Sequence, residues 1–337
     1  MPVSKLTFLL LSTSLLAGLA CEDKDVIVPA TENPEDGAGT GDPDSEGTPV
    51  DLVARGQYLV DHVAACPDCH TPRNEMGAPI PEQYLAGADC FVRLPNGDCL
   101  GSRNLTNHET GLANRTDAEI KRMISDGVRP AATGDEALFP VMPYYVFHNM
   151  TDQDLDAVVA YLRTVPPVEH AIQRRAAVFD LPAPAAPLDL SSVPLPLPDY
   201  ANPEAAARGR YLATQAGVCV ECHTKHLMGD PKVVDYASFF AGGEEFAVPG
   251  LPGTPVSKNL TSDAETGLGE WTVDDIVKVI KQGIDKHGDG ICPPMPVGPR
   301  GAFGDMTAED ALDVAHYIKS LPPLVNKIED LCALPPM

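Results

Sequence analysis

The hexapeptide Cys66-Pro-Asp-Cys69-His70-Thr71 returns 153 residues later as Cys219-Val-Glu-Cys222-His223-Thr224. Much of the surrounding sequence returns with it. Arg55-Gly-Gln-Tyr58-Leu59 matches Arg208-Gly-Arg-Tyr211-Leu212, and Arg103-Asn104-Leu105-Thr106 matches Lys258-Asn259-Leu260-Thr261. Glu109-Thr110-Gly111-Leu112 matches Glu265-Thr266-Gly267-Leu268, and Val141-Met142-Pro143 matches Pro294-Met295-Pro296. Two copies of roughly this length are a tandem duplication of one unit, since solenoid repeats have periods of only about 20–50 residues. Whatever fold one copy adopts, the other is held to it.

Each copy reads as three helices separated by long loops, so the fold class expected is all-α, with two tandem three-helix domains at 51–165 and 204–325. The first helix follows the Arg-Gly pair, around 51–64 and 204–216. The second begins at Thr116 or Thr272, each with an acidic residue three places on (Glu119, Asp275), the pattern of a capping box. It stops at Gly127 or Gly283. The third opens at Thr151 or Thr307 and carries apolar residues at helical spacing (Leu155, Val158, Val159, Leu162; Ala311, Leu312, Ala315, Ile318). Pro166-Pro167 and Pro322-Pro323 terminate it. Residues 166–203 hold nine prolines and read as an extended connector, and 326–337 as a C-terminal tail.

Cys-x-x-Cys-His carries its own chemistry. Two thiols one helical turn apart reach the two vinyl groups along one edge of a porphyrin, and the adjacent imidazole meets the iron. A redox dithiol needs no neighbouring His, and a zinc site needs further ligands at short range. Both copies are therefore expected to bind haem c covalently, through Cys66, Cys69, Cys219 and Cys222, with His70 and His223 as proximal ligands. Met142 lies 72 residues after His70, and Met295 lies 72 after His223. Loop lengths between them drifted, with Asn104 34 residues past its His but Asn259 36 past its own. Each Met precedes Pro in a loop and is expected as the distal ligand. Arg103, Asn104, Lys258 and Asn259 pair a cation with an amide donor and are expected near haem propionates, a solvated loop being the rival reading.

On these motifs each copy resembles a class I c-type cytochrome. The longer pattern Asn-Leu-Thr, Glu-Thr-Gly, Met-Pro, Tyr-Leu, Pro-Pro resembles the dihaem cytochrome c subunits of membrane-bound alcohol, aldehyde or sugar-acid dehydrogenases. That resemblance implies that Gly56 and Gly209 let the first helix cross closely on the third, near Tyr161 and Tyr317. It implies two haems and a carrier of single electrons between a periplasmic or membrane-bound dehydrogenase and an acceptor such as a terminal oxidase or another cytochrome. A dihaem peroxidase-like enzyme requires one haem with a labile distal ligand, and equal ligand spacing argues against it. A thiosulfate-oxidising enzyme would require Cys292 as an iron ligand.

Subtracting the haem cysteines and Cys21 leaves Cys90, Cys99, Cys292 and Cys332, an even number that suggests disulfides in an exported protein. Cys90 and Cys99 flank the turn signal Leu94-Pro-Asn96-Gly97 and are expected to pair across it, leaving Cys292 for Cys332. The compartment follows from the N-terminus. Residues 1–20, with an apolar run from Leu6 to Ala20 behind Lys5, read as an export signal. Cys21 stands where a bacterial lipoprotein carries its acyl groups, with ordinary cleavage after Ala20 as the alternative. Residues 21–50, rich in Asp and Glu, read as a flexible tether. The expected location is the periplasmic side of a bacterial membrane, reached through a lipid anchor. A net charge of −24, from 24 Lys plus Arg against 48 Asp plus Glu, excludes a nucleic-acid partner because phosphates repel such a surface.

Overall fold

The computed structural model describes residues 51–329, except 95, 133, 174, 228–233, 247–252 and 300, together with Cys332. The expected signal, tether and Cys21 anchor, and most of the expected tail, lie outside the described residues.

Helix α1 (Leu52–Tyr58) starts under an Asp51 cap whose carboxylate accepts from the amides of Val53 and Ala54. It widens at once into a π-turn over Leu59–Val63, where the amide of Ala64 donates to the carbonyl of Leu59 at 2.8 Å. Helix α2 (Cys66–His70) follows. After a loop come β1 (Ala88–Arg93) and β2 (Cys99–Ser102), then α3 (Asp117–Ser125), β3 (Val128–Ala131), β4 (Gly134–Ala137), α4 (Tyr144–Phe147) and α5 (Asp152–Leu162). The second copy repeats the helices: α6 (Pro203–Tyr211) with a π-turn over Leu212–Ala216, α7 (Cys219–His223), α8 (Val273–Gln282) and α9 (Ala308–Lys319). Helices α3 and α8 carry the expected capping boxes. Gly283 takes the left-handed conformation that ends α8, and Gly127 has positive φ just past α3.

The all-α expectation needs correction. The first copy contains two antiparallel hairpins, β1 with β2 and β3 with β4. The first hairpin lies where the turn signal between Cys90 and Cys99 is expected to pair two short runs, whereas β3 and β4 are only four residues each and do not alternate. Gly97 and Gly134, both at positive φ, supply the turns, and a disulfide closes the first hairpin.

Helix α1 lies across α5, and α6 across α9. A Cβ built on Gly56 would fall 1.8 Å from the Ala157 carbonyl oxygen and 2.8 Å from the Tyr161 Cβ. One on Gly209 would fall 1.9 Å from that of Asp313, the residue equivalent to Ala157. Only glycine permits either crossing.

Residues 49–337 make one compact unit, with a single apolar core running through both copies. Two exchanged contacts join them. Tyr58 of the first copy donates to the Asp310 carboxylate at 2.5 Å and accepts from the Thr307 amide at 3.1 Å. Tyr211 of the second donates to Asp154 at 2.6 Å and accepts from the Thr151 amide at 3.3 Å. Tyr58 and Tyr211 are repeat equivalents, and so are the caps they reach. The connector is extended, as its prolines require, yet it is built in: Ala185, Leu188 and Val193 are buried in the shared core. Its carbonyls at Leu190 and Pro194 accept from Arg210 and Tyr317 of the second copy.

Candidate functional site

Helices α2 and α7 are single turns, which put the two cysteines of each motif on one face with the histidine next to them. The chain enters α2 through Ala65 at φ 52°, a conformation uncommon for a non-glycine residue. His70 and His223 are buried, and their Nδ1 atoms lie 2.7 Å from the Arg103 carbonyl and 2.9 Å from the Lys258 carbonyl. A carbonyl only accepts, so Nδ1 carries the proton and Nε2 keeps a free lone pair. Burial holds both imidazoles below their ordinary pKa, hence neutral.

Cys66, Cys69, Cys219 and Cys222 are outside any disulfide. Burial pushes the Cys66, Cys69 and Cys222 thiols up to about 12 and Cys219 to about 11. A redox dithiol works through a thiolate of lowered pKa, so these pairs are poor candidates for that role. Among the described residues no three His, Cys, Asp or Glu side chains gather as a metal-binding cluster, which leaves no zinc site. The remaining fit is covalent haem: two unoxidised thiols one turn apart beside an imidazole with a free nitrogen.

The two motifs are neighbours. A Cβ on Gly217, just before α7, would lie 3.4 Å from the Val63 carbonyl oxygen, just before α2. Glu221 of α7 contributes to the rise of the Cys69 thiol, after burial and Asp68. Glu221 itself is pushed up to about 7, chiefly by burial. Across the same boundary Tyr145 Oη lies 3.0 Å from His226 Nε2, while within the second copy Glu244 accepts from the His226 amide at 2.6 Å. Nothing in the sequence marked Tyr145, Glu221 or His226 as a group, because Tyr145 meets the other two only across the boundary between the copies.

Asn104 and Asn259 spend their amide protons on the protein itself. Asn104 Nδ2 donates to Thr110 Oγ1 at 3.0 Å and to the Val168 carbonyl at 2.9 Å, and its Oδ1 accepts from the Thr106 amide. Asn259 repeats this with Thr266, the Leu324 carbonyl and Thr261. Both amides are buried with their protons committed, so they clip the chain that follows the third helix onto the loop carrying each His-binding carbonyl. That is the work of the repeated Asn-Leu-Thr and Glu-Thr-Gly motifs. Arg103 is different. Burial, and after it the nearby Arg129 and Arg175, pull its guanidinium down to about 10.

Met142 sits half-buried against the core in the turn that leads into α4. Met295 sits half-buried in a loop whose Val297 amide donates to its carbonyl. Cys292 is bonded to Cys332, with Cα atoms 6.5 Å apart, so it offers no thiolate to an iron. Cys90 is bonded to Cys99 at a Cα separation of 5.4 Å. The register pairs Cys99 with Arg93, and the irregularity between Ala88 and Val92 brings Cys90 across.

Residues 53–166 match the cytochrome c family. This region is a cytochrome c domain. Its family binds haem c covalently, and the residues above fit that group. The chain as a whole is homologous to cytochrome c subunits of dehydrogenases. It is 29 % identical over 343 residues to the cytochrome c subunit of a quinone alcohol dehydrogenase from Gluconacetobacter polyoxogenes, covering 95 % of this chain and 62 % of that one. It is 28 % identical to the gluconate 2-dehydrogenase cytochrome c subunit of Pantoea cypripedii, covering 80 % and 59 %. A diheme cytochrome c-type protein of Cereibacter sphaeroides is 31 % identical over 130 residues, covering 37 % of this chain and 39 % of its own length. The chain thus spans about three fifths of the length of the two dehydrogenase subunits. No helix among the described residues is long and apolar enough to cross a membrane.

Proposed function

We propose that the chain is a dihaem electron carrier, passing single electrons from a dehydrogenase to a downstream acceptor such as a terminal oxidase. The observation that carries this is the doubling of one arrangement: a Cys-x-x-Cys-His turn whose buried histidine gives Nδ1–H to a loop carbonyl. Cys66, Cys69, Cys219 and Cys222 form the thioethers, His70 and His223 are the proximal ligands, and Met142 and Met295 the distal ones. Lys258 is the propionate contact of the second site. The bound group supplies a one-electron couple, and histidine with methionine sets it at the high potential that suits delivery to an oxidase. The protein's part is to fix the tautomer and aim of each imidazole, to keep the thiols paired, and to hold the two attachment helices side by side. Tyr58 and Tyr211 serve that last purpose, since each anchors one copy to the helix cap of the other.

In this reading the cytochrome domains are 51–165 and 204–325, joined by the connector 166–203. The sequence before them exports the protein to the periplasmic side, where Cys21 and the acidic tether anchor it to the membrane. The homology to dehydrogenase subunits supports a dehydrogenase as the donor. Alkaline pyridine haemochrome analysis is expected to count two haems per chain. Met142→Ala and Met295→Ala are each expected to open one iron to carbon monoxide while leaving both haems attached. A count of one haem, or a substitution that changes neither spectrum, overturns the assignment.

A further inference from the structure

Arg103, Arg129 and Arg175 line one cavity of about 240 Å³, together with Ile172, Glu136 and Asp180. Arg129 is paired with Glu136 at 2.5 Å, and Arg175, its side chain only 8 % exposed, with Asp180 at 2.7 Å. Arg103 has no hydrogen-bond or ion-pair partner for its guanidinium among the described residues. Three cations against two carboxylates leave one positive charge over, in a part-buried place where an uncompensated charge is costly. The cavity adjoins the candidate site through a single residue: the Arg103 carbonyl receives the His70 proton while its side chain faces the cavity.

The second copy lacks this arrangement. Asp285 stands at the place of Arg129, counted from the helix-ending Gly283 and Gly127, and the β3–β4 hairpin shrinks to a bridge between Ile284 and Gly290. The cluster belongs to the first copy alone, so the shared fold does not require it.

We propose that Arg103, Arg129 and Arg175 form a carboxylate-binding cradle that holds a propionate of the haem attached at Cys66 and Cys69. The proposal rests on the dihaem reading above. Guanidinium forks match a carboxylate in bidentate geometry, and one carboxylate brings the cluster to neutrality. Compensating that propionate removes a negative charge that would otherwise favour the oxidised form, which carries one positive charge more than the reduced form. The cradle therefore raises the potential of the first haem and leaves the second untouched.

Spectroelectrochemical titration of the full-length holoprotein tests this, with Arg129→Gln, Arg175→Gln and the charge-conserving Arg175→Lys compared with wild type. Each Gln variant is expected to lower one of the two one-electron waves by about tenfold in the reduction equilibrium, about 59 mV, leaving the other in place. Arg175→Lys is expected to lower it by less, and Lys258→Gln is expected to leave that wave alone. Succinate added at constant ionic strength should not move the wild-type waves. A wave that follows succinate in wild type but not in the variants would make the cradle a site for a free carboxylate instead. With both haems attached, waves unmoved in all the Arg variants, even where thermal stability falls, would reduce the cluster to a structural ion-pair network and refute the cradle. A haem count below two would defeat the underlying dihaem reading, a separate outcome.

Discussion

In the first copy the loop before Arg103 is a two-stranded hairpin stapled by Cys90–Cys99, and a second hairpin precedes Met142. In the second copy the corresponding stretches keep only isolated bridges among the described residues, at Glu245–Val256 and Ile284–Gly290. Its staple is elsewhere: Cys292–Cys332 ties a tail residue to the loop of Met295 across 40 residues of sequence. What stayed constant between the copies is the framework around each Cys-x-x-Cys-His helix. The carbonyl on each histidine, the Asn–Thr clip behind it and the glycine crossing all recur. Charge and cross-linking in the distal loops diverged, which is where two otherwise equal Cys-x-x-Cys-His motifs can be made to differ.

The largest expected effect separates the two staples. In the chain-entropy picture, replacing Cys292 and Cys332 by Ser costs about 4 kcal/mol, and replacing Cys90 and Cys99 about 3 kcal/mol, because the closed loops differ in length. Urea unfolding of the holoprotein measures both, and hydrogen exchange should localise the first loss to 284–299, leaving 128–142 protected. Loss spread equally over both copies would mean that the distal loops are held alike after all.

The glycine crossings come next. Gly56→Ala and Gly209→Ala should each destabilise by about 3 kcal/mol, since the added methyl meets a backbone oxygen that cannot move without its helix. Equal losses would confirm that α1 on α5 and α6 on α9 are the same joint, and a twofold disparity would break the equivalence.

The exchanged tyrosines give the smallest effect. Tyr58→Phe and Tyr211→Phe should each cost about 1.5 kcal/mol, the loss of a hydrogen bond to a carboxylate. Burial first, and the carboxylate partner next, push both hydroxyls up to about 12. Below pH 10 the folded and unfolded chains both keep these protons, so the contribution to stability is constant. Between about 10 and about 12 the unfolded chain releases them while the folded chain retains them, so stability falls as pH rises. The double Phe variant should lose that alkaline slope. An unchanged slope would show that the hydroxyls are not held as described.

Much of this was legible in the sequence where the cause is local. Thr116 with Glu119 and Thr272 with Asp275 announce their helices because a cap and its partner lie within one turn. Cys-x-x-Cys-His is legible for the same reason. The bonds of Asn104 and Asn259 were not legible, because their partners Val168 and Leu324 lie more than sixty residues away. The second hairpin was missed because β3, Val-Arg-Pro-Ala, has no alternation to read. Arg175 was invisible for a third reason. It lies in the connector, where composition suggested only a spacer.

Tyr58 reaching Asp310 and Tyr211 reaching Asp154 make a self-complementary contact, the kind one repeat would form with a second copy of itself about a two-fold axis. Such a pair, if made of separate chains, would assemble only as far as its concentration allowed. Joined in one polypeptide, the encounter is intramolecular, and a connector packed into the shared core holds the partner in place at any protein concentration. The spacing between the two attachment helices is then independent of how much protein the cell makes.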